Sequence, residues 1–194
     1  MSNKQLWLLA GGNGAGKSTF YKTRLEPLGL PFVNADLIAK QLYPEQPEIH
    51  SYEAAKIAEK MRNRVLKEGR SFCFETVFSH PSKIDFIAQA KAMGYEVILV
   101  FIHLKSVSLN QARVAQRVSE KGHNVPENKV SSRIPRTLNN IQKALALCDH
   151  CYFLDNSRLD NPFQQIAQIH NGQILYKVEQ VPEWVKTMLK AYLQ

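Results

Sequence analysis

The octapeptide Gly11-Gly12-Asn13-Gly14-Ala15-Gly16-Lys17-Ser18 follows directly on the apolar run Leu6-Trp7-Leu8-Leu9-Ala10. It fits the pattern G-x-x-x-x-G-K-[ST] between a strand and a helix. Residues of these types in this order suit phosphate. Four glycines let the backbone turn tightly and aim successive N–H groups at one point, and the N-terminus of the following helix adds to that cradle. Lys17 would sit against the β- and γ-phosphates of a nucleoside triphosphate. Ser18 would offer a hydroxyl to the Mg²⁺ that bridges them, because this small hard cation takes oxygen donors. The expected nucleotide contacts are therefore Gly11, Gly12, Asn13, Gly14, Ala15, Gly16, Lys17, Ser18 and Thr19.

Ligands of an open α/β sheet bind beyond the carboxyl ends of its strands, so polar residues that follow apolar runs are the next to weigh. Asp36 comes after Pro31-Phe32-Val33-Asn34-Ala35. A carboxylate there can orient an acceptor hydroxyl and take its proton during phosphoryl transfer. A helix cap would need the same residue type, but Asn34 already suits the capping position, which leaves Asp36 for chemistry. Glu75 and Thr76 end the run Ser71-Phe72-Cys73-Phe74. A polar cleft is the natural place for such an acid, where it can hold magnesium and, with Thr76, bind substrate. Arg113 and Arg117 share one helical face at i and i+4, and Arg133 and Arg136 another at i and i+3. The polar segment from Ser119 to Glu127 between them reads as a loop, so the region from about residue 107 to 140 is expected to form a helical lid that brings guanidinium groups over the γ-phosphate. Arg113 is placed on the substrate side and Arg117, Arg133 and Arg136 on the transferring group. His123, in that loop, is a weaker candidate for contact with substrate or nucleotide.

The elements that must hold these residues alternate in type. Strand-like runs at Leu6–Ala10, Phe32–Val33, Phe72–Phe74, Val97–His103 and Cys151–Leu154 are separated by helical spacing at Lys17–Leu25, Ser51–Glu68, Pro81–Met93, Val107–Ser119 and Val130–Leu147. This is the pattern of a three-layer α/β fold with a parallel central sheet. The tail departs from it, since Gln165–His170, Asn171-Gly172 and Gln173–Val178 predict a hairpin with a type I′ turn. A helix from about Pro182 to Leu193 would close the chain.

At 194 residues, 44% of them hydrophobic, the chain is expected to form a single domain over residues 1–194. Its three cysteines cannot all pair, which points to a reducing, cytoplasmic setting. Cys148 and Cys151 form a C-x-x-C without a second ligand pair at metal spacing, which argues against zinc. No long apolar segment or leader-like start indicates a membrane or export. A net charge of +8 favours anionic partners. Without aromatic residues interleaved on a basic strand, nucleic acid is the weaker choice among them.

Taken in order, Gly11–Ser18, Asn34-Ala35-Asp36, Phe74-Glu75-Thr76, Arg113–Val118, Gly122–Glu127 and Asp155-Asn156-Ser157 resemble the zeta-toxin family of P-loop kinases, nearest its short bacterial branch. The resemblance runs from about residue 5 to 157. It implies a P-loop kinase fold, ATP and Mg²⁺ as cofactors, and transfer of the γ-phosphate to a sugar hydroxyl, as in the family's UDP-N-acetylglucosamine kinases. It also implies a toxin restrained by a separate antitoxin protein. By the same resemblance Asp36 matches the catalytic base, Lys17 and Ser18 the phosphate and magnesium contacts, and Glu75 and Thr76 the substrate-side pair. Lys121 stands where the branch has a glycine, and Ser132-Arg133 where it often has paired arginines, so either Arg133 or Arg136 takes the role of γ-phosphate sensor. The rival reading from another class is an ATP-hydrolysing switch or binding module acting on RNA or a protein.

Overall fold

The computed structural model describes residues 4–119 and 125–192. Seven strands form one sheet: β1 (Gln5–Ala10), β2 (Phe32–Val33), β3 (Phe72–Thr76), β4 (Glu96–His103), β5 (His150–Asp155), β6 (Gln164–His170) and β7 (Gln173–Lys177). Their order is β2-β3-β1-β4-β5-β6-β7. The first five are parallel, and β6 and β7 add antiparallel to the β5 edge. Central parallel strands are covered on both faces and so read as continuous apolar runs. Val97 to Ile102 in β4 are accordingly all buried.

Alternate side chains of these strands feed two cores. Leu6, Leu8, Phe72, Phe74, Leu99 and Phe101 pack with α3 (Ser51–Lys67), α4 (Ser82–Ala92), α6 (Glu127–Ala144) and α7 (Glu183–Leu189), and with α2 (Ala35–Leu42) through Ile38 and Ala39. Leu9, Cys73, Ile98, Val100 and Ile102 pack on the other face with the turn after α1 (Lys17–Phe20) and with Leu109 of α5 (Val107–Ser119). The three layers expected from the strand–helix alternation are present. All three cysteines are buried and unbridged. Among the described residues no helix is long and apolar enough to cross a membrane.

Two stretches differ from the sequence expectation. The helix expected over Lys17–Leu25 keeps α geometry only to Phe20, then widens into a π-helical turn at Tyr21–Leu25 and tightens to 3₁₀ at Glu26–Leu28, where Pro27 has no N–H with which to continue. The wide turn buries both Tyr21 and Leu25, and the Tyr21 ring stacks on Phe32 at 3.8 Å. The helix expected from Val130 begins a turn earlier, at Glu127, and carries Pro135 on an exposed face. The hairpin matches its expectation: Asn171 and Gly172 have φ of 46° and 76°, the pair of positive values that a type I′ turn requires.

The phosphate-loop candidate leaves β1 at Gly11, where φ is 150° and an added Cβ would lie 2.1 Å from the Ile102 carbonyl oxygen of β4. Only glycine fits there. Gly11→Ala should therefore cost about 3 kcal/mol or more in chemical denaturation, since backbone on both sides must move. A loss under about 0.5 kcal/mol would show that the strand can shift away, against the close approach seen here.

Candidate active site

The loop between β1 and α1 closes around its own lysine. Lys17 is only 5% exposed, and its Nζ donates to the carbonyl oxygens of Gly11 and Gly12, each at 2.9 Å. Glu75 Oε1 stands 3.6 Å away. Burial pulls the ammonium below its ordinary range, while the negative charges of Glu75 and Asp36 pull it back and Arg117 opposes them. The remaining oxygen of Glu75, Oε2, accepts from Ser18 Oγ at 2.6 Å and from Asn34 Nδ2 at 2.7 Å. One carboxylate at the tip of β3 thus joins the loop lysine, the loop serine and the start of α2.

Two asparagines from distant segments shape the loop from outside. Asn110 of α5 donates through Nδ2 to the Asn13 carbonyl at 2.7 Å, and Asn156, after β5, donates to the Ala15 carbonyl at 2.9 Å. Asn156 also accepts from the Phe163 backbone N–H at 3.2 Å. Both asparagines press so closely that a Cβ at Gly12 or Gly16 would meet their amide nitrogens at 2.8 and 2.5 Å. Composition gave Asn110 no mark, and Asn156 only its place in the family motif, because each acts through a fold-dependent contact.

Around the loop opens a cleft of about 920 Å³. It brings together most of the residues singled out from sequence. Asn13, Gly14, Gly16, Lys17, Ser18, Thr19, Asp36, Glu75, Thr76, Arg113, Arg117 and Arg133 all line it. Asn34 caps α2 by accepting from the Leu37 N–H at 3.1 Å, as expected, and Asp36 then lies in the first turn with no hydrogen bond to a described residue. Arg133 Nη1 reaches Asn13 Oδ1 at 3.5 Å, and burial, with the nearby Arg136, lowers its pKa while Asp36 raises it. Thr76 Oγ1 accepts from the Phe78 N–H at 3.0 Å, which braces a buried phenylalanine at φ 63°. Thr137 and Asn140 of α6 hold the same segment by donating to the Val77 and Phe78 carbonyls at 2.8 and 3.0 Å.

Arg136 is not brought to the cleft. It is exposed and donates through Nε to the Ser132 carbonyl at 3.2 Å, because it lies at the outer edge of the face it shares with Arg133, beyond the part of α6 that borders the cleft. His123 and Lys121 lie outside the described residues. The cleft also contains residues that sequence reasoning passed over, among them Lys129 on α6, His80 and Lys83 near the start of α4, and Arg62 and Tyr52 on α3. They sit on or beside helices whose charged residues look like ordinary solvated faces, and only the packing of those helices brings them to the cleft.

Ser18 and Glu75 offer adjacent oxygens beside the loop. Mg²⁺ commonly takes one or two protein ligands and completes its shell with phosphates and water, so this pair fits it. Among the described residues no three His, Cys, Asp or Glu cluster as a site for a metal bound by protein alone.

A parallel sheet in the order 2-3-1-4-5, with a glycine-rich lysine loop after its central strand and acids at the tip of β3 and just after β2, defines the P-loop kinase fold. The chain belongs to the zeta toxin family, whose model matches residues 2–158. An uncharacterized protein of Haemophilus influenzae is 30% identical over 140 residues, 69% of this chain and 99% of that protein. AvrRxo1-ORF1, solved in complex with AvrRxo1-ORF2, is similar in fold. The TM-score is 0.72 for the structure with sulphate ions and 0.70 for the one with ATP, at 19% identity, over 96% and 97% of this chain. The chain spans 63% of the length of AvrRxo1-ORF1, less than two thirds. A structure from the PezAT toxin–antitoxin system of Streptococcus pneumoniae has a TM-score of 0.65 at 17% identity, over 98% of this chain and 84% of that one.

Asn156 touches the loop only through its outer side, so its removal isolates the worth of the scaffold. Asn156→Ala should weaken ATP binding about tenfold by calorimetry, the equivalent of one lost hydrogen bond to a buried carbonyl. Affinity equal to wild type would mean that the loop holds its shape without this support.

Proposed function

We propose that the protein is an ATP-dependent kinase that transfers the γ-phosphate to a hydroxyl of a sugar, with UDP-N-acetylglucosamine as the acceptor, and that it acts as a zeta-type toxin. The observation that carries this reading is the carboxylate of Asp36. It lies in the same cleft as Lys17, Arg117 and Arg133, and the fold does not use it, because Asn34 caps α2 in its place. A chain that needed only to bind nucleotide would have no call for an uncommitted acid facing the loop.

In this reading the backbone N–H groups of residues 13–18 surround the β-phosphate and Lys17 turns its ammonium from the loop carbonyls to the β- and γ-phosphates. Ser18 and Glu75 would hold Mg²⁺, which would supply positive charge to the phosphates of ATP. Asp36 accepts the proton of the acceptor hydroxyl as that oxygen bonds to the γ-phosphorus and the bond to ADP breaks. Arg117 and Arg133, on the two lid helices α5 and α6, neutralise the charge that spreads over the equatorial oxygens. Glu75, Thr76 and Arg113 contact the acceptor. Most of the acceleration comes from position and from charges already in place.

Membership of the zeta toxin family supports the kinase reading, as does the fold shared with AvrRxo1-ORF1, which was solved with ATP. The PezAT relative comes from a toxin–antitoxin system, which supports a separate protein as inhibitor here. Residues 1–194 act as one kinase domain whose lid spans about 107–140.

The test is transfer from ATP to a panel of nucleotide sugars and simple sugars, read by mass spectrometry. A gain of one phosphate on UDP-N-acetylglucosamine is expected. Asp36→Asn should lower that rate about 10²- to 10⁴-fold and leave ATP affinity unchanged; undiminished transfer would remove Asp36 from the reaction. Lys17→Ala should instead abolish detectable ATP binding in calorimetry, and retained affinity would refute the loop assignment. ATP bound with no sugar phosphorylated, and hydrolysis stimulated by RNA, would move the protein to the class of ATP-driven switches.

A further inference from the structure

One buried cation in the cleft has no task in the chemistry above. Arg62, on the fourth turn of α3, is 6% exposed, and its Nε has no hydrogen-bond partner among the described residues. No carboxylate of a described residue pairs with it; its contacts are the rings of Phe74 and Phe86, whose centroids lie 5.1 and 5.2 Å from the guanidinium carbon. Cation–π contact offsets part of the cost of burying this charge, and a guanidinium over a ring still has its in-plane N–H groups to give. Buried polar groups in native proteins nearly always have partners, so an orphan at a cleft wall marks a place where a partner arrives.

A second cation stands beside it. Lys83, in the first turn of α4, is half-buried and lines the same cleft, and among the described residues its Nζ has only the Ser82 hydroxyl, at 3.5 Å, as a hydrogen-bond partner. Burial lowers its pKa, and the charge of Arg62 lowers it further, with only the exposed Glu59 opposing. Two like charges turned into one concave wall repel each other until an anion lies between them. Access is provided by α3 itself. Ser51, Ala55, Ala58 and Arg62 recur at i, i+4, i+7 and i+11 along one face of the helix, all line the cleft, and the two alanines leave room for a ligand to reach the guanidinium.

We infer that Arg62 and Lys83 form an oxyanion subsite on the α3–α4 wall that holds a phosphate group of the acceptor, apart from the loop that holds those of ATP. The inference rests on the kinase reading. It gives that reading a requirement: the acceptor is already a phosphate ester before it receives the γ-phosphate. Neutral sugars are then poor substrates, because they leave both cations unpaired.

The experiment separates this claim from the identity of the sugar. The protein is saturated with Mg²⁺ and a non-hydrolysable ATP analogue, so that the loop is filled, and inorganic pyrophosphate is titrated in by calorimetry. One further equivalent should bind. Arg62→Met and Lys83→Met should each weaken it about 10- to 100-fold, as expected for loss of a charged hydrogen bond. Arg62→Met should melt at or above the wild-type temperature, because it replaces an unpaired buried charge by an apolar chain. If that variant does not fold, Arg62→Lys and Lys83→Met carry the measurement. Absence of pyrophosphate binding by the wild type, or equal binding by the variants, overturns the subsite. So does a fall of several degrees in Arg62→Met with pyrophosphate affinity intact, which would assign the guanidinium to packing on Phe74 and Phe86. The source of the phosphate is settled by KM: N-acetylglucosamine 1-phosphate and UDP-N-acetylglucosamine should be favoured over N-acetylglucosamine, and the preference should vanish in Arg62→Met. Sugar phosphorylation with an unchanged KM in that variant removes the subsite and leaves the kinase. Pyrophosphate held by Arg62 with no sugar phosphorylated leaves the subsite and removes the acceptor.

Discussion

An ammonium group buried at the end of a central strand must be surrounded by oxygen, and much of the site follows from that demand. Lys17 meets it with two carbonyls of its own loop and with Glu75. The loop must therefore curl back over the lysine, which is possible only where Gly11 passes against β4 without a side chain. Glu75 must stand at the tip of the neighbouring strand, and the parallel register that pairs Leu9 with Glu75 puts it there. Once placed, the same carboxylate receives Ser18 and Asn34, so the serine of the loop and the first turn of α2 are positioned by the acid that steadies the lysine. The loop, the tip of β3 and the start of α2 are thus joined at one point.

The division of labour between Asn34 and Asp36 shows how a local rule and a chemical need coexist within three residues. An asparagine at the N-cap spares the backbone an unsatisfied donor. The acid two positions on is then free of structural duty, and it gains from the nearby helix start whatever the electrostatics of the first turn supply. At the next strand tip, strain is accepted instead. Phe78 adopts a left-handed conformation, and Thr76 within the segment and Thr137 and Asn140 of α6 hold it with hydrogen bonds. Backbone held so firmly beside a cleft gives its neighbours fixed positions.

What could be read from the sequence was what local chemistry dictates. The loop motif, the alternation of strands and helices, the cap at Asn34 and the turn at Asn171-Gly172 each depend on a few adjacent residues, and each matches the structure. Helical phase carried only part of the way: i and i+3 spacing could not choose between Arg133 and Arg136, and only the docking of α6 brings the first to the cleft and leaves the second exposed. Contacts between distant segments were out of reach. Asn110 and Asn156 are unremarkable polar residues until α5 and the end of β5 are set against the loop. Arg62 lies in a helix rich in charge, and nothing short of its packing over Phe74 and Phe86 distinguishes it from its solvated neighbours. The π-helical turn after α1 escaped for the same reason, since it answers to burial of Tyr21 and Leu25 and to a proline further along.

The two asparagines that brace the loop have a consequence for the life of the newly made chain. They arrive from residues 110 and 156, and Asn156 is itself tied to Phe163, so the shape that receives nucleotide exists only after segments 97 and 141 residues apart have met. Contacts of such sequence separation carry a large loop-closure cost and slow folding. An unfinished chain, or one cut short before β5, lacks the second brace. A fragment that ends before Asn156 therefore holds the loop from the α5 side alone.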